Sequence, residues 1–413
     1  MSLSFIYMEV YISLFGKKKK VLSWLRLLEQ EKIPFRYKGE NLNNFSVVNI
    51  LISFPSKKIK NFFKEKGKAY IIEPEPAPSR EKLIRAFNSL NLPYFHSWYY
   101  PTNCFSVFLF RVDVDYVDSE GLENIFEITK RFNIKGTYFI NISGEEEFDE
   151  KISHFNLKTP TTPQRKEILQ KILLEGNEIA NHGYWHYVFK DFRKNYQNIK
   201  ACNLFLKKLF EIRNKGFAAP GGEMNSSLIK AINQAKLLYS SNELTEGKFP
   251  YYPYIQNKKS KVLEIPVYYF CDASFEFLKN EKLVRTNPLY CQDILRSFYL
   301  KYIKQQINNN KPIGILVHPH LIGKVAKNFF GPIFKEIKRL KIPNYTFEEF
   351  ANWWKQREKI RISYKKVGDQ LFIEANHYPV LIETIYGKKK SIITINKRSI
   401  INLRKQRNAI KYS

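Results

Sequence analysis

Two histidines four residues apart, His182 and His186 in NHGYWHYVF (residues 181–189), are the first feature of this chain that could hold a cation. On a helical turn, residues i and i+4 stand on one face with Cβ atoms about 6 Å apart. Two imidazoles so placed can bind one metal ion and leave room for a third ligand and a water. Alone, the pair is more simply read as two histidines on a partly exposed turn. Its companions change the balance. Upstream, VFLFRVDVDYVD (107–118) is an apolar run of strand length that leads into Arg111, Asp113 and Asp115. In an extended chain, residues two apart point to one side, so both carboxylates and the guanidinium project together from the C-terminal tip of that strand. Two like charges so close are unfavourable unless a cation or partner relieves them; the plain alternative is an acidic pair capping a strand end. Downstream, PIGILVHPH (312–320) is another strand-like run, ending in His318 and His320. Strand ends carrying Asp, His and His are where an α/β fold builds a site.

Four stretches, taken in order, resemble the motifs of the polysaccharide deacetylases, the carbohydrate-esterase superfamily of NodB homology. FRVDVD with IKGTYFI (134–140) is similar to the first motif, in the variant with one residue between the aspartates. NEIANHGYWH (177–186) resembles the second, GFAAPGGEMN (216–225) the third and ILVHPH (315–320) the last. The resemblance implies a distorted (β/α) barrel with a divalent metal ion, zinc being the first candidate although an Asp-His-His set discriminates poorly among first-row ions. It implies that Asp115, His182 and His186 bind the metal, that Asp113 is the general base toward water, and that His318 is the general acid protonating the leaving amine. The backbone N–H after the third-motif proline, here that of Gly221, supplies the oxyanion contact. One departure matters. Many members carry an arginine in the third motif that orients the catalytic aspartate, and this chain has Ala218 and Ala219 there. Arg111 is the expected substitute, because its side chain emerges beside that of Asp113. Asp272, after LEIPVYYF (263–270), is the nearest candidate for the acidic residue that tunes the acid histidine. His320 is a competing acid, although only His318 fits the motif register.

These residues need elements to hold them. At 413 residues the chain has room for two or three domains, and 44% hydrophobic residues with modest Gly and Pro exclude a disordered chain. Residues 1–100 read as a small α/β module: a helix in VLSWLRLLEQEKI (21–33), strands in FSVVNILISF (45–54) and AYIIEP (69–74), and an amphipathic helix in SKKIKNFFKEKGK (56–68). Prolines 74, 76 and 78 mark a linker. Residues 101–357 alternate strand and helix and form the (β/α) barrel core. From residue 358 the period becomes two, with Gly368-Asp369 and Gly387-Lys388 at hairpin turns, so 358–413 reads as a β-rich basic appendage.

The four cysteines are far apart and form no C-x-x-C pair, which excludes a zinc ribbon or thioredoxin-like motif. The net charge of +29 fits a solvated surface first, then peripheral contact with an anionic membrane or glycan surface, and nucleic acid last, since lysines are spread through every segment. The apolar N-terminus lacks preceding basic residues and no stretch is long enough to span a bilayer, so the expectation is cytoplasmic. The leading expectation is a metal-dependent hydrolase that removes an N-acyl group, N-acetyl first, from a sugar or polysaccharide. Hydrolysis of another C–N bond, such as a formamide on a lipid-linked sugar, and a non-catalytic glycan-binding descendant are the alternatives.

Overall fold

A computed structural model describes residues 12–14, 18–33, 35–37, 50–52, 70–72, 78–115, 119–142, 163–255, 258–274, 288–377, 379–396 and 398–403. It divides into two compact units, residues 104–354 and residues 1–103 with 355–413.

The larger unit is built on one eight-stranded sheet. Its strands are β1 (Phe108–Val114), β2 (Gly136–Ile140), β3 (Glu178–Asn181), β4 (Gly216–Phe217), β5 (Tyr239–Ser240), β6 (Leu263–Glu264), β7 (Ile313–Val317) and β8 (Asn344–Tyr345). They lie in the order β6-β5-β4-β3-β2-β1-β7, with β8 paired to the start of β1, and every pairing is parallel. Parallel neighbours need crossovers, and α1 (Ser119–Arg131), α2 (Pro163–Leu174), α3 (Phe192–Phe210) and α4 (Ser226–Gln234) supply them between consecutive strands from β1 to β5. α5 (Pro288–Asn308) leads into β7, α6 (Ala326–Arg339) into β8, and α7 (Phe347–Arg357) follows it. The barrel is open but curled. At Gly314 in β7, a Cβ would stand 3.1 Å from the Cα of Val267 and 3.2 Å from the Pro266 carbonyl, tighter than ordinary contact, so glycine suits the close approach of the run after β6 to β7.

Sequence parity decides what each face of β1 does. Phe108, Phe110, Val112 and Val114 join the apolar cluster beneath the helices, together with Phe329, Phe330, Ile333, Phe334 and Ile337 of α6. The Phe110 and Phe330 rings meet edge-on at 5.3 Å, and burying each such side chain contributes ~2–3 kcal/mol. The odd residues face the other way. Arg111 lies under the Phe139 ring, 5.2 Å from its centroid, and Arg111, Asp113 and Asp115 are all buried. The alternation inferred from the sequence therefore puts the three charges inside the barrel, as expected of a strand covered on both sides.

The smaller unit has a parallel sheet in the order Phe35–Tyr37, Ile12–Leu14, Ile50–Ile52, Tyr70–Ile72, with a helix at Lys18–Glu31. The helix expected at 56–68 lies outside the described residues. The C-terminal hairpins turn at Gly368 and Gly387, with φ of 56° and 61°. The two flanking segments, expected as separate modules, share this unit. Strand Val380–Tyr386 pairs antiparallel with Tyr94–Ser97, and the buried carboxylate of Glu383 meets His96 Nε2 at 2.8 Å. The hairpin alone would leave an edge unpaired; the strand that satisfies it lies nearly 300 residues upstream, a pairing no local pattern announces.

Candidate active site

The candidate residues converge at the carboxyl ends of β1, β3 and β7. Asp115 directly follows β1, and His182 directly follows β3. Its N–H continues the sheet ladder to the Ile140 carbonyl at 3.0 Å. Its Nδ1 lies 2.9 Å from the Ala218 carbonyl, an acceptor only, so Nδ1 carries the proton and Nε2 presents a lone pair inward. His182 Nε2 is 3.2 Å from Asp115 Oδ1, His186 Nε2 is 3.3 Å from the same oxygen, and the two Nε2 atoms are 3.1 Å apart. An ion bound tetrahedrally at about 2.0–2.1 Å needs ligand separations of roughly 3.3 Å. Asp115 Oδ1 is buried without a hydrogen-bond partner. Electron pairs thus face one another around a point where a cation would sit, and the donor set fits a divalent ion.

The histidine pair does not lie on a helical turn, as its i, i+4 spacing suggests. Residues 182–189 form an irregular loop. Gly183 takes a φ of 91°, and a Cβ there would meet the Trp185 carbonyl at 2.5 Å. Asparagines replace the missing helical hydrogen bonds. Asn181 Oδ1 accepts from Gly183 N–H at 2.6 Å, Asn198 Oδ1 from Trp185 N–H at 2.9 Å, and Asn195 Oδ1 from Phe189 N–H at 2.9 Å. Two of them belong to α3, so that helix, which the sequence shows only as a mixed apolar and basic segment, also fixes the loop carrying His186.

Arg111 meets Asp113 as the sequence predicts. Its Nε donates to Oδ1 at 2.7 Å and its Nη2 to Oδ2 at 2.6 Å, a two-pronged ion pair. The other prong, Nη1, donates to the carbonyl of Ser241 and at 3.3 Å to its hydroxyl. Ser241 belongs to a loop organised by Glu264, which went unnoticed in the sequence. The buried Glu264 carboxylate accepts from Asn242 N–H at 2.5 Å, Glu243 N–H at 2.7 Å and Ser240 Oγ at 2.6 Å. Asn242 Oδ1 in turn accepts from Ala219 N–H at 2.8 Å. One carboxylate therefore fixes both the loop beneath Arg111 and the third-motif backbone whose Ala218 carbonyl orients His182. Only an acidic residue in an apolar strand, LEIPV, signalled it.

His318 directly follows β7 and its Nε2 lies 3.6 Å from Asp115 Oδ2. Asp272 holds it twice, accepting from its backbone N–H and from Nδ1, each at 2.6 Å. Burial disfavours the charged imidazole, but Asp272, with Asp115 and Asp113 beyond, raises its pKa well above the ordinary histidine value. Cys271, Asp272 and His318 also lie close enough to ligate an ion; both Asp272 oxygens, however, are already engaged by His318. His320 sits inside the helical turn Pro319–Ile322, not two positions along a strand, and its ring packs edge-on to His318 at 5.7 Å. Gly221 lies in the turn Pro220–Gly222 with φ of 63°.

The curled parallel sheet, with its carboxylates and imidazoles gathered at the carboxyl edge, is consistent with the (β/α) deacetylase fold. Residues 106–240 match the family model described as polysaccharide deacetylase. No curated protein matches the chain. Among solved structures, a probable polysaccharide deacetylase from Pseudomonas aeruginosa PAO1 is 15% identical, covering 65% of this chain and 97% of its own, with a TM-score of 0.48. The allantoinase Puue is 15% identical over 62% of this chain and 93% of its own, with a TM-score of 0.47. The peptidoglycan deacetylase PdaC of Bacillus subtilis is 16% identical over 61% and 93%, with a TM-score of 0.37. Among the described residues no helix is long and apolar enough to cross a membrane.

Proposed function

We propose that this protein is a metal-dependent hydrolase that removes an N-acyl group, N-acetyl first, from a sugar or polysaccharide. The observation that carries the reading is the Asp115, His182 and His186 triangle, with its orphaned buried carboxylate oxygen and separations of 3.1–3.3 Å. These three residues would hold the ion, with zinc the first candidate. When bound, a divalent ion polarises the amide carbonyl and makes water a better nucleophile at neutral pH.

The chain's own groups handle the protons. Asp113, held by both prongs of Arg111, is the base that takes a proton as water adds to the acyl carbon. Arg111 thereby fills the role that the third motif leaves empty at Ala218. His318 is the acid: its carboxylate partner Asp272 fixes Nδ1–H and favours the charged ring, leaving Nε2–H to protonate the amine nitrogen as the C–N bond breaks. The products are the free amine and the carboxylate of the acyl group. The N–H of Gly221 is the oxyanion donor, a contribution of ~3 kcal/mol where such donors have been removed.

The test is metal content by mass spectrometry on wild type and His182→Ala, with hydrolysis of an acetylated chito-oligosaccharide followed in parallel. About one divalent ion per chain, lost with His182, and release of acetate support the proposal. No bound ion after incubation with zinc, cobalt or nickel would refute it.

A further inference from the structure

Away from the strand ends, the larger unit has a cleft of about 620 Å³ between the C-terminal half of α4, the start of α3 and the hairpin Tyr254–Ile255/Lys258–Lys259. That volume is ordinary for a small-molecule site. Lys230, Lys258, Lys259 and Lys261 line it, and among the described residues that line it none is acidic. Some lysines elsewhere in this unit pair with carboxylates: Lys130 with Glu175, Lys171 with Glu167, Lys135 with Glu349 and Lys248 with Glu243. Among the described residues Lys230, Lys258 and Lys261 have no such ion pair. Four like charges round one concavity repel one another, and an anion placed among them relieves that repulsion.

The cleft is also fixed in place. Asn233 of α4 accepts from Lys261 N–H at 2.8 Å and from Ser260 Oγ at 3.1 Å, and its amide donates to the Ile229 carbonyl at 2.7 Å. The stretch that follows the hairpin is thus clipped to the helix, with Lys230 presented by α4 and Lys258 and Lys259 by the return strand. Phe192 adds a flat apolar face, stacked on Tyr196 at 6.3 Å and 15°, suited to a sugar ring.

We propose that this cleft is a second carbohydrate site, binding the carboxylate or phosphate groups of an acidic glycan apart from the reacting acyl group. The choice of a glycan rests on the deacetylase reading; the choice of an anion rests on the lysines. The test is calorimetric titration with hexagalacturonate at low salt, against neutral chitohexaose and a single-stranded DNA hexamer. It compares wild type, the triple variant Lys230→Gln/Lys258→Gln/Lys261→Gln, His182→Ala, and a control that removes the same charge at Lys130, Lys135 and Lys171. Hexagalacturonate is expected to bind wild type, His182→Ala and the control alike, and the cleft triple variant on the order of tenfold or more weakly. Equal binding to both triple variants would show attraction by net charge alone and overturn the proposal. So would loss of binding in His182→Ala, tighter binding of DNA than of hexagalacturonate, or no binding to wild type. Because the readout is binding, it stands apart from the metal-content test of the hydrolase reading.

Discussion

Replacing Arg111 by lysine keeps the buried positive charge and removes the fork that grips Asp113. The guanidinium makes two bonds to the carboxylate, at 2.7 and 2.6 Å, and a third prong reaches Ser241. A lysine ammonium on its flexible stem keeps one carboxylate contact and leaves the Ser241 carbonyl without this donor. Losing one charge-assisted hydrogen bond costs about 1.5–3 kcal/mol, and a buried acceptor left unpaired adds about 1 kcal/mol. For the unit of residues 104–354 that lowers Tm by roughly 5–10 °C. The catalytic effect has a different source. A base free to swing by about 1 Å loses on the order of 100-fold in rate, so kcat should fall by about that factor with KM little changed. Metal content should match wild type, because Asp115, His182 and His186 are untouched. The assay is steady-state hydrolysis with metal analysis and thermal melting on the same preparation. A lowered Tm with kcat within threefold of wild type, while Asp113→Ala is inactive, would refute the orienting role and leave Arg111 a structural residue.

Three further outcomes follow from the same geometry. Asp272→Asn removes the charge that favours protonated His318, so kcat should fall about 100-fold and the alkaline limb of the pH–rate profile should move to lower pH, because the acid now loses its proton sooner. Glu178 is buried, and burial pushes its carboxyl up to about 7 despite hydrogen bonds from Glu348 N–H, Tyr239 and Thr137. The folded state therefore holds a proton that the unfolded chain releases near pH 4.5, and stability falls between about pH 4.5 and 7 by up to ~3 kcal/mol. Melting curves of Glu178→Gln from pH 5 to 8 should lack that decline. Glu264→Gln keeps an acceptor for the Asn242 and Glu243 N–H groups and should melt within a few degrees of wild type. Glu264→Ala leaves two backbone donors unpaired and should lose about 3–5 kcal/mol in denaturant unfolding, with kcat falling as the loop beneath Arg111 loosens.

The part of the site that could be read in the sequence is the part set by local periodicity. A strand has a period of two, so FRVDVD by itself puts Arg111, Asp113 and Asp115 on one side, and the barrel interior holds all three. The apolar run 313–317 likewise delivers His318 to the end of a buried strand. Reasoning from period alone failed where the chain leaves regular structure. The His182–His186 spacing suggests a helical turn, and the real loop depends on Asn195 and Asn198 from the following helix. His320 seemed two strand positions from His318 because nothing in HPH shows that the strand ends at Val317.

What the sequence determined by itself is therefore which side chains emerge where: alternation along single strands, the order of the elements, and a motif set that resembles that of the polysaccharide deacetylases. Tertiary structure alone decided how those strand ends meet. Asp115 and His182, 67 residues apart, close only when parallel strands stack in register through crossover helices, whereas Asp272 and His318, 46 apart, meet where the run after β6 packs back beside β7. Glu264 and Gly314 show the same limit from the other side. Each is an ordinary residue in an apolar strand, and its role exists only in contacts: a carboxylate serving three donors at the end of β5 and the loop after it, and a missing Cβ beside the run after β6. Pairings of that kind depend on chain segments far apart in sequence, so no local pattern encodes them.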